Sequence, residues 1–214
     1  AYSSVIADGK RVYAFSGQGG GSVAVDAGGT GNVSDTQLVW NGPVKAIYGS
    51  PIRYESELYI IARGILSTVD TATGKRGFQM RLKGERKTGN SRFGSLDYAS
   101  PIVVGDRLFY LNASGQVYVF QLGSSIELLA VNEVTSEKEI FWGSPAASDG
   151  RLFLRSSKYL YCIADSDLAN SPAPVVPKIR TISSVKGTDL SLATSNLPTP
   201  AERPKRPEPV EDND

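Results

Sequence analysis

The chain has 214 residues, 40% of them apolar, with 23 basic and 22 acidic side chains and a net charge of +1. This balance describes a globular protein and excludes the strong positive field of a nucleic-acid or membrane-surface binder. Histidine is absent and cysteine occurs once, at Cys162, so His-based triads, HExxH zinc sites, imidazole bases and an intramolecular disulfide are all excluded.

In chain order, the sequence repeats itself. Tyr2-Ser3-Ser4-Val5 is followed by Tyr48-Gly49-Ser50-Pro51, Tyr98-Ala99-Ser100-Pro101 and Trp142-Gly143-Ser144-Pro145. Seven residues beyond each Val or Pro stands an apolar-aromatic pair: Val12-Tyr13, Leu58-Tyr59, Leu108-Phe109 and Leu152-Phe153. The repeats begin 46, 50 and 44 residues apart, close to the length of a four-stranded propeller blade. Blades are expected over about 2–45, 46–95, 96–139 and 140–164.

Each repeat divides into strands. In the third, the expected strands are 101–104, 108–111, 117–122 and 126–131, separated by turns at Gly105-Asp106 and 112–115. Pro opens the first strand because that position need not donate to the ladder. The Gly-rich run 17–21 reads as a hairpin between second and third strands. It lacks the strand-to-helix context and the Lys-Ser/Thr of a phosphate loop.

The second repeat carries Thr68-Val69-Asp70-Thr71-Ala72-Thr73-Gly74, with Phe78 beyond it. A looser copy runs from Ala24-Val25-Asp26 through Thr30-Gly31 to Trp40, stretched by an insertion. In the third repeat Gln121 replaces Asp and the Thr-Gly is lost. Together with the repeat starts, this pattern resembles the docking motif of the pyrroloquinoline-quinone-like (PQQ-like) propeller repeats, a family that includes quinoprotein dehydrogenases and the non-catalytic BamB-type outer-membrane assembly factors. The resemblance covers residues 2–164. It implies an all-β propeller of four blades, an aromatic ring packed between neighbouring blades, and a periplasmic or exported location. It also implies a larger ring, typically eight-bladed, of which this chain is the C-terminal half; a closed four-bladed ring is the lesser alternative. The chain begins at Ala1 without Met and is read as a fragment or processed product.

From Asp165 the pattern fades. Residues 172–177 read Pro-Ala-Pro-Val-Val-Pro, and residues 197–214 hold five prolines among charges. Residues 165–214 are therefore expected to be a largely disordered tail, with one possible extra strand at 178–185.

The candidate site residues are few. Tyr2, Tyr48, Tyr98 and Trp142 begin the four repeats and are expected near one mouth of the central channel. Packing against the next blade is the expectation for such rings, and a stacking platform for a ligand is the alternative. The loop with Arg81, Lys83, Arg86, Lys87 and Arg92 joins an outer strand to the next inner one. It is expected to be a solvated loop, with an anionic partner as the alternative. Asp26 and Asp70 are read as turn caps and Cys162 as a small buried hydrophobe. Ser4, Ser50, Ser100 and Ser144 recur with the blade, and no base accompanies them. No apolar run approaches the roughly 18 residues of a membrane span.

The resemblance also defines what a dehydrogenase would need: Ca²⁺ ligands, a catalytic Asp and commonly a vicinal Cys-Cys pair. None can be assigned here, although Asp97 stands beside Tyr98. The reading is therefore a non-catalytic interaction or scaffold module with no cofactor and no metal. Its expected partners are a protein and the missing half of the propeller, not nucleic acid. The alternative is part of a PQQ- and Ca²⁺-dependent alcohol or sugar dehydrogenase whose catalytic groups lie upstream.

Overall fold

The computed structural model describes residues 3–17, 20–82 and 98–169. They form four antiparallel meanders. The first contains β1 (Ile6–Asp8), β2 (Arg11–Phe15), β3 (Ser22–Asp26) and, after the short helix α1 (Ser34–Gln37), β4 (Leu38–Gly42). The second contains β5 (Ile52–Tyr54), β6 (Glu57–Ala62), β7 (Ile65–Asp70) and β8 (Arg76–Arg81). The third contains β9 (Ile102–Val104), β10 (Arg107–Leu111), β11 (Gln116–Gln121) and β12 (Glu127–Glu133). The fourth has three strands, β13 (Ala146–Ser148), β14 (Arg151–Arg155) and β15 (Leu160–Ile163), and is followed by the short helix α2 (Ser166–Ala169). Pro51, Pro101 and Pro145 each stand one residue before the first strand of a sheet.

Turn chemistry fixes these hairpins. Arg63 and Gly64 have φ of 54° and 67° between β6 and β7, the two left-handed residues that a tight hairpin matching strand twist requires. The insertion in the first repeat becomes α1. The Gly-rich run lies between β2 and β3, with the Ser16 N–H donating to Gly21 O at 2.8 Å.

The register aligns the blades residue by residue. Tyr13 pairs with Ala24 and Ala24 with Trp40. Tyr59 pairs with Thr68, and the Phe78 N–H donates to Thr68 Oγ1 at 2.9 Å. Phe109 pairs with Val119 and Val119 with Ala130. A bulge interrupts the pairing of third and fourth strands at the same place in each of these three sheets. Such a bulge increases the local twist and re-aims the residues of the outer strand.

The core lies between the sheets. Tyr13, Phe15, Ala24 and Trp40 of the first blade are buried with Leu58, Ile60 and Val69 of the second. Tyr59, Ile61 and Leu66 are buried with Leu108, Tyr110, Tyr118 and Phe120 of the third. Leu111 and Val117 meet Phe141 and Leu154 at the fourth.

Cys162 corrects the sequence reading, because its side chain is exposed. It pairs with Phe153 at the position that Ala24 and Thr68 occupy in the first two blades. Those residues are buried under the following blade. No described sheet follows β15.

Candidate functional site: the seams between blades

Each seam is built from the repeat start upward. The Ser4 N–H donates to Ser50 Oγ, the Ser50 N–H to Ser100 Oγ, and the Ser100 N–H to Ser144 Oγ, each at 2.8 Å. The recurring serines therefore tie the segment leading into each first strand to the next such segment. A short hydroxyl side chain suits this role because it accepts from a neighbouring backbone without filling the space between strands.

The repeat-start aromatics run beside this ladder. Tyr48 and Tyr98 have ring centroids 4.6 Å apart, and Tyr98 and Trp142 lie 5.5 Å apart in an edge-to-face arrangement. Tyr48 and Tyr98 are half-buried, whereas Trp142 is 48% exposed. Tyr2, Lys83, Arg86, Lys87, Arg92 and Asp97 lie outside the described residues. Arg81 is the exposed last residue of β8.

The docking motif forms the second contact of a seam. Asp70 Oδ1 accepts from the Thr73 N–H at 2.7 Å and the Thr73 hydroxyl at 2.6 Å, and the Gly74 N–H donates to Asp70 O. The Thr73 hydroxyl and N–H hold the Asp70 carboxyl below its ordinary range. Gly74, at φ 70°, lies under the indole of Trp40, where a Cβ would come within 2.5 Å of the ring. The Trp40 Nε1–H donates to Thr71 O at 2.9 Å. A turn of one blade thus holds the aromatic ring of its predecessor. Asp26, at the matching register position, instead accepts from Arg11 Nε at 3.0 Å and lies 3.7 Å from Lys10 Nζ. Its carboxyl is held low by Arg11.

Three groups escaped sequence reasoning. A cavity of about 350 Å³ between the first two blades has Val44, Ile60 and Ile65 among its lining and Lys45, Arg63 and Arg76 around it. The bulge at Gly77-Phe78 aligns Arg76 with Gln79 on one face, which no simple alternation of β8 foretells. Glu139 is 5% exposed; its Oε1 accepts from the Tyr161 hydroxyl at 2.9 Å, while Oε2 has no partner among the described residues. The third is the set of cavities at the later seams. One of about 300 Å³ is lined by Tyr59, Phe78 and Gly123, and one of about 600 Å³ by Phe109, Leu152 and Ile163.

Tyr48 and Tyr98 leave no room for a planar ring between them. A planar ring inserted between Tyr48 and Tyr98 needs two contact layers of about 3.5 Å each, and the rings stand 4.6 Å apart. Among the described residues no group of three or more His, Cys, Asp or Glu is placed to hold a metal ion. Hard cations need about six or more oxygen ligands.

Four-stranded and three-stranded meanders linked in this way resemble propeller blades, and they define an all-β blade-repeat protein. No protein-family model and no curated protein matches the sequence. Solved structures do match the fold. BamB from Moraxella catarrhalis is 17% identical with a TM-score of 0.56, over 76% of this chain and 46% of that one. The computationally designed Ika8 protein is 12% identical with a TM-score of 0.50, over 75% and 45%. A quinohemoprotein alcohol dehydrogenase from Pseudomonas putida HK5 is 14% identical with a TM-score of 0.48, over 72% and 28%. The chain spans less than half the length of each of these structures.

Proposed function

We propose that this chain is four blades of a larger, PQQ-like propeller, most simply eight-bladed, which serves an exported bacterial protein as a non-catalytic interaction or scaffold module. The observation that carries this reading is the asymmetry between inner seams and outer faces. Leu58 and Val69 are fully buried against the preceding blade, while their register equivalents Val12 and Val25 are only half-buried. At the other end Cys162 is exposed, where its register equivalents Ala24 and Thr68 are buried and Val119 is half-buried. Apolar end faces of this kind are what further blades cover. The likeness in fold to BamB supports the scaffold reading and a periplasmic location.

The module binds no PQQ and no Ca²⁺ in this reading, and its partner is a protein. Calorimetric titration with PQQ, with and without Ca²⁺, followed by a dye-linked alcohol and sugar oxidation assay, tests it. No saturable heat and no dye reduction are expected. Sub-micromolar, Ca²⁺-dependent binding with turnover overturns the reading. Solution scattering tests the ring: self-association through the end faces is expected, and a closed monomeric four-bladed particle overturns the larger ring.

A further inference from the structure

The docking residue shrinks along the chain. It is Trp40 at the first seam, Phe78 at the second and Ala130 at the third, at matching positions of the register. The receiving turn erodes in parallel. Gly74 lies against the Trp40 ring, whereas a Cβ on Gly123 would meet nothing within 4 Å.

The space beside the docking position differs between the seams. At the first the indole fills that position, with Tyr13 6.0 Å away, and the cavity of about 350 Å³ at that seam lies apart from Trp40, on Val44, Ile60 and Ile65. The second keeps a cavity of about 300 Å³ beside Phe78. The third opens to about 600 Å³. Burial follows the same order: Tyr13 and Tyr59 are buried, and their equivalent Phe109 is half-buried. Val69 and Phe120 are buried, and their equivalent Ile163 is 45% exposed. The lining of the third cavity includes Val103, Val104, Phe109, Leu152 and Ile163, with Asp165 at the register position matching Thr71. Thr71 is the residue whose carbonyl accepts the Trp40 indole N–H.

We propose that the gap between the third and fourth blades is a receptor for the tryptophan side chain of a partner polypeptide, which takes the place that Trp40 fills at the first seam. The chain itself shows what that site accepts: a planar ring laid on a neighbouring turn, with one N–H aimed at a backbone carbonyl. At the register position of Trp40 the third blade has only the methyl of Ala130. Val103, Val104 and Phe109 form one wall and Leu152 and Ile163 the other, and Ile163 is accessible. Buried aromatic anchors in such pockets dominate many interfaces. This inference rests on the interaction role proposed above and gives it a recognition chemistry.

The test uses the full chain and N-acetyl-tryptophanamide as the probe, followed by amide shifts in NMR. Saturable shifts are expected around residues 103–109, 119, 130, 147–152 and 163–165, with a Kd on the order of 1 mM. N-acetyl-alaninamide should produce none. Ala130→Trp should weaken probe binding by about tenfold or more, because the chain then fills its own site, and should raise the melting temperature. Ile163→Asp, a change at an exposed position, should weaken binding similarly and serves if Ala130→Trp does not fold. Absent shifts, or shifts unchanged by both variants, overturn the receptor site. The PQQ titration would still stand in that case, so the two readings fail separately.

Discussion

The Ser50 N–H donates to Ser100 Oγ at 2.8 Å across the seam between the second and third blades. The same bond joins Ser4 to Ser50 and Ser100 to Ser144, so one side chain type carries a structural relay through all four repeats. Replacing Ser100 with Ala should leave the Ser50 N–H unpaired and cost about 1 kcal/mol. In a chain of this size that lowers the melting temperature by about 2–4 °C. Ser100→Thr keeps the acceptor and should cost less. Equal melting of wild type and Ser100→Ala would remove the ladder from the stability account.

Trp40 and Gly74 should behave as one unit. Trp40→Ala empties the first seam and should cost about 3–5 kcal/mol. Gly74→Ala places a methyl within 2.5 Å of the indole at a φ of 70° and should also destabilise strongly. Denaturant unfolding of the double variant should show less than the sum of the two losses, because Trp40→Ala frees the space that the added methyl needs. Full additivity would mean that the strain lies in the backbone alone.

Acid should weaken the fold through Asp70, Asp26 and Asp106. All three carboxyls are held below their ordinary range, chiefly by Thr73, Arg11 and Gln121 respectively. In this pH range the unfolded chain binds more protons than the folded one. Their contribution is therefore present above the ordinary carboxyl range of about 4 and lost as pH falls through the lower folded values. Melting temperature should fall as pH drops below about 4, and Asp70→Asn should flatten that limb.

The alkaline limb depends on Tyr59. Burial pushes its hydroxyl up to about 12 from the ordinary value of 10.0. Between those values the unfolded chain loses its proton first, so stability should decline as pH rises from 10.0 to about 12. Tyr59→Phe should reduce the decline. A pH profile identical to wild type would place the alkaline sensitivity elsewhere.

Cys162 should react with a thiol reagent in the native chain, because its side chain is exposed at the last described sheet. Mass spectrometry should find complete alkylation without denaturant when the chain is dilute enough to be monomeric, and slower labelling once it self-associates through this face. Labelling only after unfolding would mean that this face is covered in solution.

The sequence by itself determined the blades. The recurrence of Ser-Pro starts, the tight turns and the short alternating runs state a local hydrogen-bonding pattern, and local patterns are written in neighbouring residues. Trp40 and Asp70 were legible as parts of a docking motif for the same reason. Tertiary structure alone decided what each residue meets across a seam. Ser100 could be seen to repeat, but its bond to Ser50 depends on two segments 50 residues apart lying side by side. Cys162 has the neighbours of a buried strand residue and is exposed because no described sheet covers it. Ala130 is an unremarkable strand residue in sequence, and only the register shows that it stands where the first two blades have Trp40 and Phe78. Burial and vacancy are relations between surfaces distant along the chain, and local pattern does not encode them.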